Sequence, residues 1–359
     1  MQVRTDRHEV IVVGGGQAGL AIGWFLARQG RRFSILEASG KPAAAWRARW
    51  DSLKLFTPVR YSSLPGLPFP GDPDSYPHRD EVVAYLTEYA THFDLPVELN
   101  SRVRSIARID DGYLVESDGG SYEADQVVVA TGPFQDPLIP SVAADLDPGV
   151  AQLHSSSYRS PRDLPPGPVL VVGGGNTGFQ IAAELAGSHE VHLSIGSRQT
   201  PLPQRLLGRD LFRHLEAFGL MGKTTESRIG RRMKDRDTLI GSTPRSVRRL
   251  GVAVRPRTTE ASGAEVRFDD GTSVGPASII WATGFRTDHS WIDVPVFDES
   301  GQIVHERGVT ASPGLYLLGQ QWQHTRGSAL LGWVKDDAEH IAGRIEAHRP
   351  VPAPAGAAA

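Results

Sequence analysis

The chain has 359 residues, enough for two or three domains, with 40% apolar and 22% charged residues, the balance of a globular protein with a large core. Its net charge of −3 argues against nucleic-acid or membrane-surface binding by the molecule as a whole, and the lack of any cysteine excludes structural disulfides. No stretch approaches the roughly 18 apolar residues of a membrane span. Arg4 and Arg7 before an apolar run do not make a secretory leader, because glycines, Gln17 and Arg28 interrupt it. A cytoplasmic protein is expected.

Val10-Ile-Val-Val13 runs straight into Gly14-x-Gly16-x-x-Gly19, and an apolar helical pattern follows through Leu20, Trp24, Leu26 and Ala27. Together these read as a buried parallel strand, a tight glycine turn and a helix whose N-terminus faces a ligand. Gly14 allows the turn, Gly16 lets a pyrophosphate approach the backbone, and Gly19 lets helix pack closely on strand. The helix N-terminal amides and dipole favour the phosphates. Phe33-Ser-Ile-Leu36 reads as a second strand, and Glu37 at its end is placed to accept hydrogen bonds from a ribose.

The proline- and glycine-rich stretch 61–78 predicts an irregular surface loop. Asp80 is expected to cap a helix carrying Val82, Val83, Tyr85, Leu86 and Tyr89 on one face. A short strand is expected at 97–99. Segments 103–107, 113–117 and 121–123 predict a small antiparallel unit that turns at Asp111-Gly112 and at Asp118-Gly119-Gly120. Residues 126–130 read as another buried parallel strand, ending in Ala130-Thr131-Gly132.

After a proline-rich linker at 159–168, Val169-Leu-Val-Val172 opens the motif again. Gly173-Gly-Gly175-Asn176-Thr177-Gly178 begins a helix through Ile181, Ala182 and Leu185, and 191–195 is its second strand. Strand 279–281 leads into Ala282-Thr283-Gly284, repeating the earlier ending. Residues 314–319 predict a last core strand, 328–347 a closing helix, and 350–359 a disordered Pro/Ala tail.

Counting from the first glycine aligns Gly14 with Gly173 and Glu37 with Gly196, so the acid is replaced and Ser197 and Arg198 follow. Without the carboxylate a 2′-phosphate is no longer repelled, and Arg198 can pair with it through two hydrogen bonds, unless it is simply a solvated arginine at a strand end. FAD is therefore expected in the first unit and NADPH, in preference to NADH, in the second. The basic run Arg228, Arg231, Arg232, Lys234, Arg236, Arg245, Arg248 and Arg249 reads as an electrostatic guide for an anionic cofactor or as a solvated helical face. His189 and His192 border a strand, and no metal site is expected. The expected fold is α/β: two Rossmann-like, three-layer dinucleotide-binding domains, the second inserted into the first. The FAD domain takes 1–164 and 285–349, and the NAD(P)H domain takes 165–284.

Flavin and reduced nicotinamide in one chain imply hydride transfer to flavin N5. With no cysteine pair to receive them, the electrons leave to oxygen or a diffusible acceptor. The chain resembles the flavin-containing monooxygenases (class B flavoprotein monooxygenases), especially the short bacterial type, over nearly its whole length. The resemblance rests on both glycine motifs, Asn176-Thr177, Trp46, Leu55-x-Thr57-Pro58 and Ala282-Thr283-Gly284-Phe285. The family's linker fingerprint, F-x-G-x-x-x-H-x-x-x-Y/F, is half present. His154-Ser-Ser-Ser-Tyr158 matches, but Gly149 lies five residues before His154 and no phenylalanine precedes it.

The resemblance implies that NADPH reduces FAD, that O₂ adds at flavin C4a, and that the (hydro)peroxyflavin oxygenates a small sulfide, amine or ketone while NADP⁺ stays bound. No side-chain nucleophile or base is assigned. Expected FAD contacts are Gly14, Gly16, Gln17, Ala18, Gly19, Glu37, Ala38, Trp46, Thr57, Val103, Ala130, Thr131, Gly132, Gly319 and Gln320. Expected NADPH contacts are Gly173, Gly175, Asn176, Thr177, Gly178, Ser197, Arg198, Ala282, Thr283 and Gly284. Trp46, Thr57 and His324 are expected at the substrate cavity, although Trp46 is equally a core residue. His154 and Tyr158 brace the linker or simply pack. Related enzymes place an asparagine beside the flavin's reacting edge where this chain has Thr57-Pro58, and an acid toward the ribityl chain where it has Gln320. The alternatives are an NAD(P)H oxidase or quinone-type flavin reductase without oxygen insertion, and a redox-sensing flavoprotein. The expected partners are O₂ and a small molecule, with no nucleic acid and no membrane; oligomeric state is left open, a homodimer included.

Overall fold

The computed structural model describes residues 6–234 and 238–348. The expected tail at 350–359, Arg4 and Arg236 lie outside them. The chain opens with β1 (Asp6–Val13), α1 (Gln17–Arg28), β2 (Phe33–Leu36), α2 (Arg79–His92) and β3 (Val97–Glu98). Next come β4 (Val103–Ile109), β5 (Gly112–Ser117) and β6 (Gly120–Val129). They form one sheet in the order β4-β5-β6-β1-β2-β3. β1 is parallel to both neighbours, with Val10 opposite Phe33 on one side and Gln126 on the other.

The two strands expected at 121–123 and 126–130 are one strand in the structure. The first half of β6 is antiparallel to β5, and its second half is freed from β5 and accepts a parallel partner from far along the chain.

A second, all-parallel sheet is built from β7 (Ala151–His154), β8 (Val169–Val172), β9 (Val191–Ser194), β10 (Ala253–Arg255) and β11 (Ser278–Trp281), in the order β10-β9-β8-β11-β7. Helix α3 (Asn176–Leu185) connects β8 to β9. The chain then returns through β12 (Leu315–Leu317), parallel to Val127–Val129 of β6, and ends in α4 (Val334–Ala347). The second sheet's central strand β8 is an unbroken apolar run because both faces are covered, and His192 and Ser194 of β9 are buried as well. Alternation divides β8: Val169 and Val171 point to one core, Leu170 and Val172 to the other. Val10 and Val12 against Ile11 and Val13 divide the first sheet in the same way. On one face of that sheet α1, α2 and α4 pack; on the other, β4 and β5 supply Ile106, Tyr113 and Val115.

Several expectations are corrected. Edge strand β7 belongs to the second sheet although it precedes residue 165; its half-exposed Ala-Gln-Leu-His carries no strong strand pattern. Helix α2 starts at Arg79 with His78 as cap residue, and Glu81 Oε2 accepts the His78 N–H at 2.7 Å; Asp80 sits in the first turn and is not the cap. The closing helix begins at Val334, after a 3₁₀ turn at Arg326–Ala329. The 61–78 loop is irregular and exposed over 70–75 as expected, but its first part is anchored: Leu64 and Phe69 are buried, Tyr85 Oη accepts Leu64 N–H and donates to Leu67 O, and Tyr89 Oη donates to Pro65 O.

His154 and His192 are buried in the second sheet, and burial holds both below the ordinary histidine range, with Arg49 and Arg255 adding to the effect. The unfolded chain therefore takes up protons first as pH falls below about 6.5. Stability is full above that value and is lost on acidification. Thermal unfolding is expected at a lower temperature at pH 5 than at pH 7.5, with a shallower decline in His192→Gln; a midpoint independent of pH across this range contradicts the assignment.

Candidate nucleotide-binding sites

Each glycine turn is fixed by a contact that only glycine permits. A Cβ at Gly19 would fall on the Gly14 carbonyl oxygen, and a Cβ at Gly178 on the Gly173 carbonyl oxygen. Gly14 (φ +111°) and Gly173 (φ +138°) lie in the left-handed half of the map, and a side chain at either would strike the strand end at Ala130 or Ala282. Thus the Ala130-Thr131-Gly132 and Ala282-Thr283-Gly284 endings come directly against the two turns. Gly16 and Gly175 are different. Both have ordinary negative φ and nothing within 4 Å of a would-be Cβ, and they lead α1 and α3 into open space. A pyrophosphate fits there, against unpaired amides at a positive helix end.

In the first site, Glu37 curls back over the turn. Its Oε2 accepts the Gly15 N–H and its Oε1 the Ser39 N–H, both at 2.9 Å. Two amides thus hold the carboxylate at the strand end, beside exposed Ala38. Ser101 N–H donates to Glu37 O, which brings Val103 to the same corner. Gly319 (φ +83°) packs on Ala18, so Gln320 arrives beside the turn, and Gln320 Nε2 is buried with no acceptor among the described residues. An orphaned donor at this point fits a ligand with oxygen acceptors. Trp46 Nε1 donates to Gln17 Oε1 at 2.8 Å, and Gln17 Nε2 donates to Ala329 O. Trp46 packs against the cores of both sheets and so stands between the two units. Thr57 is buried beside Ser62, and His324 O accepts Thr225 N–H from the second unit.

In the second site, the place of Glu37 over Gly15 is taken by Gln199 over Gly174. Gly196 is covered by Arg257, which donates through Nη2 to Gly196 O. Arg198 is exposed next to it, and Ser197 Oγ accepts from Gln199 Nε2. One guanidinium therefore lies at the position that carries an acid in the first site, and a second arginine follows two residues later. Arg257 escaped the reading of the sequence; the signal was Val252-Ala-Val-Arg255, which contains β10 and delivers residue 257 to the strand end. Asn176 cross-links inside the protein, accepting Ile240 N–H and donating to Thr238 O. Thr177 stands at the helix start with no cross-link of this kind among the described residues.

The two threonines tie the crossings between the sheets. Thr131 Oγ1 accepts from Gln135 Nε2, and Thr283 Oγ1 donates to Leu138 O. The crossings pair as a short antiparallel ribbon, Asp136–Pro137 with Phe285–Arg286. His154 donates from Nε2 to Gly284 O and accepts Ser156 N–H at Nδ1, which fixes one neutral tautomer. Tyr158 Oη donates to Glu184 Oε2 on α3, so the fingerprint pair braces the second unit. Over the ribbon lies Arg49, also missed from sequence, with its guanidinium 4.6 Å from the Phe134 ring and 5.2 Å from the Phe285 ring. No carboxylate pairs with it among the described residues, and burial pushes it down to about 10.

The contrast between the glycines predicts two classes of variant. Gly16→Ala and Gly175→Ala should fold with the melting temperature of the unliganded wild-type protein and lose flavin and pyridine-nucleotide binding, respectively. Gly19→Ala should instead destabilise the protein by about 1–3 kcal/mol or more through overpacking. Bound flavin absorbance, nucleotide titration and thermal melts separate the classes; a Gly16→Ala protein that retains its flavin removes the first site.

The family model described as pyridine nucleotide-disulphide oxidoreductase matches residues 11–205. A CzcO-like oxidoreductase of Geobacillus kaustophilus is 42% identical over 343 residues, covering 95% of this chain and 99% of its own. The indole-3-pyruvate monooxygenase YUCCA1 of Oryza sativa subsp. japonica is 29% identical, covering 86% of each chain. The solved flavin-containing monooxygenase from Stenotrophomonas maltophilia superposes with a TM-score of 0.80 at 31% identity, covering 96% of this chain and 99% of that one. The two relatives and the solved structure cover both sheets, and no described helix is long and apolar enough to cross a membrane. The chain is an oxidoreductase that belongs to the pyridine nucleotide-disulphide oxidoreductase family and, within it, to the flavin monooxygenase type.

Proposed function

We propose that this protein is an NADPH-using, FAD-dependent monooxygenase that oxygenates a small sulfide, amine or ketone. The observation that supports it most is two open glycine turns, at Gly16 and Gly175, in one chain that contains no cysteine. Two nucleotide seats imply hydride transfer, and without a thiol pair the reducing equivalents have no acceptor within this chain.

Each choice of cofactor has its own support. Glu37, held by the Gly15 and Ser39 amides, suits a ribose of the flavin's adenosine half, which favours FAD over a mononucleotide. Gly196 with Arg257 and Arg198 suits a 2′-phosphate, which favours NADPH. The bound pair supplies hydride transfer and the activation of O₂. The chain's own part is placement and dryness. Trp46, fixed through Gln17 to Ala329, walls the space between the units, and buried Thr57 and the Phe56–Phe212 stack (5.9 Å) exclude water beside it. No side-chain nucleophile or general base is required.

With NADPH and O₂, adding a thioether should yield sulfoxide carrying ¹⁸O from labelled gas, and hydrogen peroxide formed per NADPH should fall. Peroxide yield independent of every sulfide, amine and ketone tried identifies an oxidase and overturns the proposal. For the coenzyme, Arg257→Ala and Arg198→Ala should each weaken NADPH by about 10- to 100-fold, the equivalent of a charge-assisted hydrogen bond, and leave NADH nearly unchanged. Equal losses for both coenzymes rule out the 2′-phosphate role.

A further inference from the structure

The net charge of −3 conceals a strong asymmetry. Residues 205–249 hold twelve of the 38 Lys and Arg but only five of the 41 Asp and Glu, leaving twenty-six bases against thirty-six acids elsewhere. The same stretch concentrates exposed apolar side chains. Of the eight large hydrophobic residues exposed among the described residues, five fall between 206 and 250: Leu206, Leu207, Phe218, Ile229 and Leu250.

The display is rigid. Arg205–Leu206 pairs with Arg209–Asp210 in a hairpin whose tip, Leu207-Gly208, has positive φ at both residues and leaves Leu207 89% exposed. The Asp210 carboxylate holds the hairpin's base, accepting from Phe212 N–H, Tyr76 Oη and Gln204 Nε2. The following helix, Leu211–Ala217, buries Leu211 and Phe212 with Met221 and Ile240, so it cannot roll to hide its remaining apolar side chain. His214 Nε2 donates to Leu206 O, which ties the helix to the hairpin, and Phe218, one turn beyond His214 at the helix end, is 73% exposed. Arg205 and Arg209 of the hairpin and Arg213 of the helix are all exposed, and Arg228, Arg231 and Arg232 of the helix Arg228–Lys234 are exposed too.

We propose that this face docks on an anionic lipid surface. A second copy of the chain would set one basic patch against another. Nucleic acid would engage the cations and leave Leu207 and Phe218 in water. An anionic bilayer satisfies both features, with headgroups for the arginines and the interfacial layer for the leucine and phenylalanine tips. The hairpin base also touches the proposed substrate side, because Gln204 Nε2 donates to Phe56 O. An apolar substrate leaving the bilayer would meet the protein there, a corollary that rests on the proposed function whereas the docking itself does not.

The test uses the full chain and vesicles of phosphatidylcholine with or without an equal share of phosphatidylglycerol. Sedimentation should carry the protein down with the anionic vesicles at low salt, and not with phosphatidylcholine alone. Leu207→Ser with Phe218→Ser should lower partitioning tenfold or more at unchanged melting temperature, and Arg209→Glu with Arg213→Glu should abolish it. Because the chain has no cysteine, Leu207→Cys provides one labelling site, and an environment-sensitive dye there should shift to the blue on anionic vesicles. Absence of binding, or binding that the Leu207/Phe218 variant retains, overturns the proposal. So does duplex DNA bound as tightly as vesicles, or a dimer in solution that Leu207→Ser dissociates. Flavin content and NADPH turnover of the variants, unaffected if only docking is lost, separate this outcome from failure of the proposed reaction.

Discussion

Everything in this molecule is arranged around a main-chain oxygen lying against a main-chain α-carbon. The Gly14 carbonyl occupies the space that a side chain at Gly19 would need, and the Gly173 carbonyl does the same at Gly178. That approach sets the distance from strand to helix, and hence where the first free amides of α1 and α3 point. It also obliges the neighbouring strand to finish at Ala130 or Ala282, because those residues close the other side of each turn. Two sheets of different make-up, one mixed and one wholly parallel, therefore present the same opening at their carboxyl ends.

The same framework supports different chemistry at the next strand end. In the first unit an acid reaches back to its own turn and is held by two amides. In the second the acid is missing, a glutamine covers the turn, and an arginine just past the adjacent strand lies over the vacated backbone. A single exchange, Glu37 for Gly196, removes a carboxylate from the strand end and leaves bare backbone under Arg257.

Much of this was legible in the residues, for identifiable reasons. Glycine motifs and runs such as Val169-Leu-Val-Val172 are readable because sterics and two-sided burial leave few alternatives. Edge strand Ala151–His154 was not, since one covered side imposes only a weak pattern. The fusion of 121–123 with 126–130 into β6 was also hidden, because its two halves obey different pairing rules. Arg257 and Arg49 were missed for a different reason. What matters in each is a partner more than 60 residues away, Gly196 for one and Phe134 with Phe285 for the other, and no local pattern reports such a meeting. The basic segment was legible as charge but not as a surface, because exposure of Leu207 and Phe218 is decided by what the rest of their hairpin and helix bury.

Arg49 has a mechanical consequence. Its guanidinium lies over one aromatic ring from each of the two crossings, and attraction to a ring face depends on height above the ring far more than on orientation within its plane. A hydrogen bond in the same place would resist twisting, because its strength falls steeply with angle. The cation therefore holds one ring from each crossing together without demanding a particular angle between them, beside the directional hydrogen bonds of the ribbon.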